Sequence, residues 1–195
     1  MEVINISKID KKRSKIEFDS GIIFALYNGE IYKLEIKEGI TLDEAFYVAK
    51  IVPILKSRIK ERTIHILKSR DRTEKELRDK LREGFYPEEI IDYVIDWAKS
   101  HRYIDDERYV EFYIESNVSK KSKNRMLHEL RQKGISKEYL EDIFEEYEID
   151  EKEQIKKFLE KKNIDVENLD FKAKGKILNQ LLGKGYSYEN IMRCL

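Results

Sequence analysis

Three stretches of this chain align on one another without a gap, and that repeat limits the fold more than any other feature. They run Leu81 to Ile91, Leu130 to Leu140 and Leu181 to Ile191. Each opens on leucine and carries Tyr86, Ile135 or Tyr186 at the same offset. Pro87, Ser136 or Ser187 follows, then Glu89, Glu138 or Glu189, then a closing Ile91, Leu140 or Ile191. The pattern predicts a helix end, an apolar residue packed back across the turn, and a new helix. Gly134 and Gly185 suit the left-handed position after a helix. Serine or proline suits the start of the next one, where a first-turn glutamate favours the dipole. The first copy has Phe85 in place of the glycine, so its turn is expected to differ and to use Gly84.

The repeat extends upstream. Ile104-Asp105-Asp106 and Ile149-Asp150-Glu151 open two further matched helices, with Asp105 and Asp150 as N-caps. Val110, Tyr113 and Ile114 of one correspond to Ile155, Phe158 and Leu159 of the other. Three three-helix units follow, over residues 55–102, 103–147 and 148–195. One such unit buries little by itself, so stacked units in an elongated, curved array are expected.

Residues 1–40 read differently, as a small antiparallel β-meander. Val3 to Ile6, Lys15 to Phe18, Ile22 to Tyr27 and Ile31 to Ile36 suit short strands. Asn28-Gly29 suits a tight hairpin and Asp19-Ser20-Gly21 a second turn. Thr41 with Glu44 three residues on is a capping box, which predicts a connecting helix over 41–54. Pro53 should break or start a helix. A second box, Thr73 with Glu76, should open another. Only 8 Gly and 2 Pro in 195 residues argue against an all-β chain. The fold class is therefore mostly α.

Little supports catalysis. His65, His101 and His128 are far apart in sequence, and no spacing matches a metal site or phosphate loop. Asp105 and Asp106 are neighbours and do not share a helix face. Cys194 is the single cysteine, so no intrachain disulfide can form. No cofactor is expected. The first residues hold no apolar signal core, and no run approaches membrane-spanning length, so a cytoplasmic chain is expected.

The formal net charge is zero, with 39 basic and 39 acidic residues. Their distribution is uneven. Residues 56–82 and 120–133 are rich in Lys and Arg, and residues 138–153 are rich in acids. The segregation suits a basic surface for phosphates beside an acidic one, although solvated helix faces give the same pattern. Tyr103, Tyr109, Phe112 and Tyr113 lie between the basic segments, and most of them should be core. Trp97, at helical spacing from Ile90 and Val94, should be core as well.

Three motifs together resemble one family. Leu67 to Leu81, with Arg70, Arg72, Thr73, Glu76 and Leu77 in place, is similar to the L-x-x-R-x-R-S/T-x-x-E-L stretch of RecX proteins. Tyr103 to Tyr113 resembles their Y-[IL]-D-D-x-R-[FY] signature. Arg125 to Ile135 is similar to their R-I-x-x-E-L-x-x-K-G-[IV]. The segment before them looks like an N-terminal extension found in some members. The chain departs from the pattern at Ser122 or Lys123, where Gly is usual, and at Val110, where Ala is usual. The third unit also carries an insertion-like stretch from Asn163 to Phe171.

The resemblance implies a regulator of the RecA recombinase, built of stacked three-helix units. Such a protein binds along the RecA–single-stranded DNA filament and generally inhibits it. On that reading Arg70, Arg72, Arg78, Lys120, Lys121, Lys123, Arg125 and Arg131 supply the electrostatic contact, and the chain acts as a monomer. Single-stranded DNA would be touched indirectly or weakly. The residues alone leave two alternatives: a sequence-tolerant nucleic-acid binder built from trihelical units, and a helical adaptor without a nucleic-acid role.

Overall fold

A computed structural model describes residues 1–195 as two compact units, Met1–Asp105 and Asp106–Leu195. In the first, strands β1 (Val3–Lys8), β2 (Arg13–Phe18) and β3 (Ile23–Tyr27) form an antiparallel sheet in the order β1-β2-β3. Ser14, Ile16 and Phe18 alternate inward along β2, and Ile16 faces Phe24 of β3 in register. Gly21 turns the chain between β2 and β3 at φ +82°.

The meander has three strands, not four. Asn28–Lys33 is a short helix, α1, and Ile31 to Ile36 contains no strand. The hairpin at Asn28-Gly29 is absent because both residues lie in α1. The Glu30 carboxylate accepts from the Tyr27 amide at 3.0 Å, as in a capping box. Ile31 and Leu34, three apart, pack on the core while Tyr32 is exposed. That is a helical face, which the polar–apolar alternation of this stretch resembled only by coincidence.

Thr41 does not cap a helix. The Met1 amino group donates to the Leu42 carbonyl and the Val3 amide to that of Ile40, which holds residues 40–42 along β1. Thr41 pairs with Glu2 there. The cap is Asp43, whose side chain accepts from the Phe46 amide at the start of α2 (Glu44–Phe46). A π-helical turn over Tyr47–Ile51 leads into α3 (Val52–Leu67), with Pro53 in its first turn. The widened turn accommodates the proline, which has no N–H to give.

The first three-helix domain comprises α3, α4 (Glu74–Arg82) and α5 (Glu88–Ser100). Thr73 caps α4 in the expected box with Glu76. Leu55, Ile59, Leu77, Leu81, Ile90, Ile91 and Val94 belong to one buried cluster with Ile16, Phe18, Phe24 and Leu26 of the sheet. The sheet thus covers apolar surface that three short helices could not bury among themselves. After α4 the left-handed residue is Phe85 itself, at φ +59°, in the position that Gly134 and Gly185 occupy in the other copies. Gly84 takes no left-handed turn. A Cβ there would lie 2.9 Å from the Tyr86 ring, so Gly84 instead lets Tyr86 fold back.

In the second unit α6 (Asp106–Asn117), α7 (Lys123–Gln132) and α8 (Lys137–Ile143) form one domain. Helices α9 (Glu151–Lys161), α10 (Phe171–Gly183) and α11 (Tyr188–Met192) form the next. Ser122, Ser136, Asp150, Asp170 and Ser187 cap α7 to α11 in turn, each accepting from a first-turn amide. Each domain has its own buried cluster, around Val110, Ile114 and Leu130 in one and Ile155, Leu181 and Ile191 in the other. Polar bonds join them. Gln154, 8 % exposed, donates to the Val118 carbonyl at 2.6 Å and accepts from the Tyr186 hydroxyl at 3.0 Å.

Candidate binding surfaces

The basic run on α4 is largely neutralised where it stands. Lys75 pairs with Asp79, Lys80 with Glu83, and Arg82 with Glu88 and Asp79. Arg78 reaches Glu74 at 2.7 Å and Asp92 at 2.6 Å, and its side chain is mostly covered. Glu74 also pairs with Lys99. Burial opposes ionisation of Glu74, but Lys99 and Arg78 outweigh it and hold the carboxyl below its ordinary range. Arg78 is therefore a cross-link between α4 and α5.

Arg70 and Arg72 lie in the loop between α3 and α4. The Arg70 side chain is 61 % exposed and only brushes Glu76, at 3.5 Å. Arg72 is half-buried, with its Nε shielded and unpartnered.

The second basic segment converges on one carboxylate. Glu129 of α7 accepts from Lys121 at 2.7 Å, from Arg125 at 2.9 Å, and from the Tyr113 hydroxyl of α6. Burial works against its charge, yet the bonds from Lys121, Tyr113 and Arg125 prevail and hold its carboxyl at about 2. Two cations on one carboxylate leave local positive charge. Lys120, Lys123 and Arg131 are exposed, with Lys123 ammonium 5.8 Å from the centre of the Phe144 ring. The Lys123 amide at the start of α7 donates to Glu151, so this helix end already holds an anion.

Of the eight basic residues picked from the sequence, Lys121 and Arg125 are thus brought together on Glu129. Arg78 stands apart from them in a network of its own. Arg70, Lys120, Lys123 and Arg131 are exposed, as is Arg125 where it reaches Glu129. On the acidic segment, Glu151 is spent on Lys123 and on Asn190, and Glu141 and Glu153 pair with lysines one turn away.

The aromatic residues correct the sequence reading. Tyr103 is 51 % and Phe112 68 % exposed, and Tyr109 and Tyr113 are half-buried, so none of the four is full core. Trp97 is half-buried too, at the edge of the first core. Two features were missed. One is the cluster Trp97, His101 and Tyr103. The other is an open groove of about 940 Å³ lined by Arg13, Arg58, Arg62, Tyr27 and Tyr86. In that groove Arg58 lies on the Tyr27 ring at 3.8 Å and pairs with Glu30. The spacing of Arg58 and Arg62, one helical turn apart, was the available signal for the groove.

No group of three metal-ligating side chains is gathered anywhere, and no helix is long and apolar enough to cross a membrane. Burial pushes the Cys194 thiol above its usual range, away from a reactive thiolate.

Three family descriptions match in order: RecX, first three-helix domain, over residues 60–97; second, over 105–142; third, over 150–195. The chain belongs to the RecX family. A regulatory protein RecX of Clostridium perfringens is 31 % identical across 95 % of this chain and 90 % of its own. One of Salmonella typhimurium is 38 % identical across 70 % of this chain and 89 % of its own. A crystal structure of regulatory protein RecX superposes with a TM-score of 0.63 at 22 % identity, covering 99 % of this chain and 98 % of that one, which supports the fold. RecX relatives are thus named as regulatory proteins, not as enzymes.

Proposed function

We propose that this chain binds the RecA–single-stranded DNA filament and inhibits RecA's ATPase and strand exchange, acting as a single chain without a cofactor. The observation that carries the reading is the ordered match of all three RecX three-helix domains. The name of that family points to regulation of RecA. A filament offers the same charged contact repeatedly, and tandem domains can meet it through several weak contacts whose effects multiply.

Of the eight candidate residues, Arg70, Lys120, Lys123 and Arg131 are exposed and lie outside the Glu129 network, and would make the direct contacts. Lys121 and Arg125 would add the excess charge around Glu129. Arg78 would act by holding the first domain in shape, and Arg72 would add charge beside Arg70. The test is binding to a preassembled filament by a variant with Arg70, Lys120, Lys123 and Arg131 changed to glutamate. Loss of binding with an unchanged melting temperature supports the assignment. Undiminished binding by the folded variant overturns it.

A further inference from the structure

The C-terminal end of α5 presents three aromatic rings as one surface. Trp97 and His101, one turn apart, lie with ring centres 5.1 Å apart. Arg102 then takes a left-handed turn at φ +54°, and the Tyr103 amide closes it by donating to the Ala98 carbonyl at 2.8 Å. The turn returns the Tyr103 ring to 5.2 Å from Trp97, edge-on, and to 5.8 Å from His101, stacked. His101 Nδ1 lies 2.9 Å from the Trp97 carbonyl oxygen, a contact it can make only as a donor. The rings are therefore set by backbone geometry before any ligand arrives.

Cations border this surface. Lys60 of α3 lies over the Trp97 ring, 5.0 Å from its centre, and over Tyr93 at 5.1 Å, and Lys56 lies over Tyr93 at 4.4 Å, so the open ring faces are those of His101 and Tyr103 and the far side of Trp97. The nearest acid in sequence, Asp96, is adjacent to Trp97 and so does not share its helix face. Tyr103, at 51 % exposed, offers its ring to solvent although it is among the larger apolar side chains of the unit.

We infer that Trp97, His101 and Tyr103, with Lys60 beside them, form a stacking platform for unpaired bases of single-stranded nucleic acid. Tyr103 and His101 are exposed and Trp97 is half-buried between them and the core, so the cluster offers ring faces for bases and lysine charge for the backbone between them. A duplex has its base faces already covered and would gain only the charge. An acidic peptide would use the lysines and leave the rings idle. The inference goes beyond binding to RecA, since it needs no RecA.

Trp97 is the sole tryptophan, so its fluorescence reports this surface alone. The experiment titrates the full chain, without RecA, with a dT oligonucleotide of about 16 residues and with an abasic strand of equal length. Saturable quenching by dT and none by the abasic strand is the expected result. Tyr103→Ala should weaken dT binding about fivefold or more, and Tyr103→Phe should keep it. His101→Ala serves as a second variant if Tyr103→Ala alters the unliganded emission. Equal response to both strands, no response to dT, or wild-type affinity in folded Tyr103→Ala or His101→Ala would overturn the assignment. Failure here leaves the RecA reading intact, because the filament assay is separate.

Discussion

Ser122 Oγ donates to the Lys184 carbonyl at 2.8 Å while accepting from the Arg125 amide, so one hydroxyl caps α7 and binds the turn that ends α10. Beside it, a Cβ on Gly185 would lie 2.7 Å from that hydroxyl and 3.1 Å from the Arg125 nitrogen. The repeat's glycine is required here twice over, for its φ of +87° and for the approach of the second domain. Gly185→Ala should cost about 2–3 kcal/mol, from left-handed strain plus overlap. Gly21→Ala, at φ +82° with nothing within 4 Å of its Cβ, should cost only about 1 kcal/mol. Urea unfolding of both variants checks the difference, and equal costs would contradict the close approach.

Glu129 predicts a pH signature. Its carboxyl falls from an ordinary 4.5 to about 2 in the folded chain. A depressed folded value stabilises above the unfolded value and loses that effect as pH falls through the folded one. Glu129→Gln should therefore cost about 1–2 kcal/mol at pH 7. The gap between wild type and variant should be undiminished down to about pH 4.5, then close towards pH 2. Unfolding free energies across that range check it.

Two arginines picked from the same motif should separate stability from binding. Arg78→Ala removes the ion pair to Asp92 and one of the two cations on Glu74, which keeps Lys99. It should cost about 1–2 kcal/mol. Arg70→Ala removes an exposed side chain with one long contact and should stay within about 0.5 kcal/mol. The same Arg70→Ala should weaken filament binding. Melting curves alongside filament affinities for both variants decide the matter.

Glu30 anchors α1 by its bond to the Tyr27 amide and its ion pair with Arg58 of α3. Glu30→Ala should cost about 1 kcal/mol. The loss should appear first as faster amide exchange over residues 30–36, with the first three-helix domain still protected. Uniform loss of protection would contradict a local role.

What was legible in the sequence is what neighbours in the chain decide. The box at Thr73, the caps at Ser136, Asp150 and Ser187, and the turn glycines at 134 and 185 all act within a few residues of themselves. They carry most of the fold. Helix α1 was not legible, because Glu30 finds Arg58 only after the chain has folded. Thr41 lost its cap to a pairing with Glu2, again a distant partner. The candidate site was less legible than the fold. A count of basic residues ranked Arg78 with Arg70, but Asp92, fourteen residues on, binds the one and not the other. Spacing alone suggests that most of Tyr103, Tyr109, Phe112 and Tyr113 are core, whereas Tyr103 follows the turn at Arg102 and lies on the surface.

The most direct test of the account is the single-stranded-DNA-dependent ATPase of RecA from the same organism, measured as this protein is titrated in. The account predicts dose-dependent inhibition at substoichiometric protein. An unchanged rate at saturating protein would contradict it.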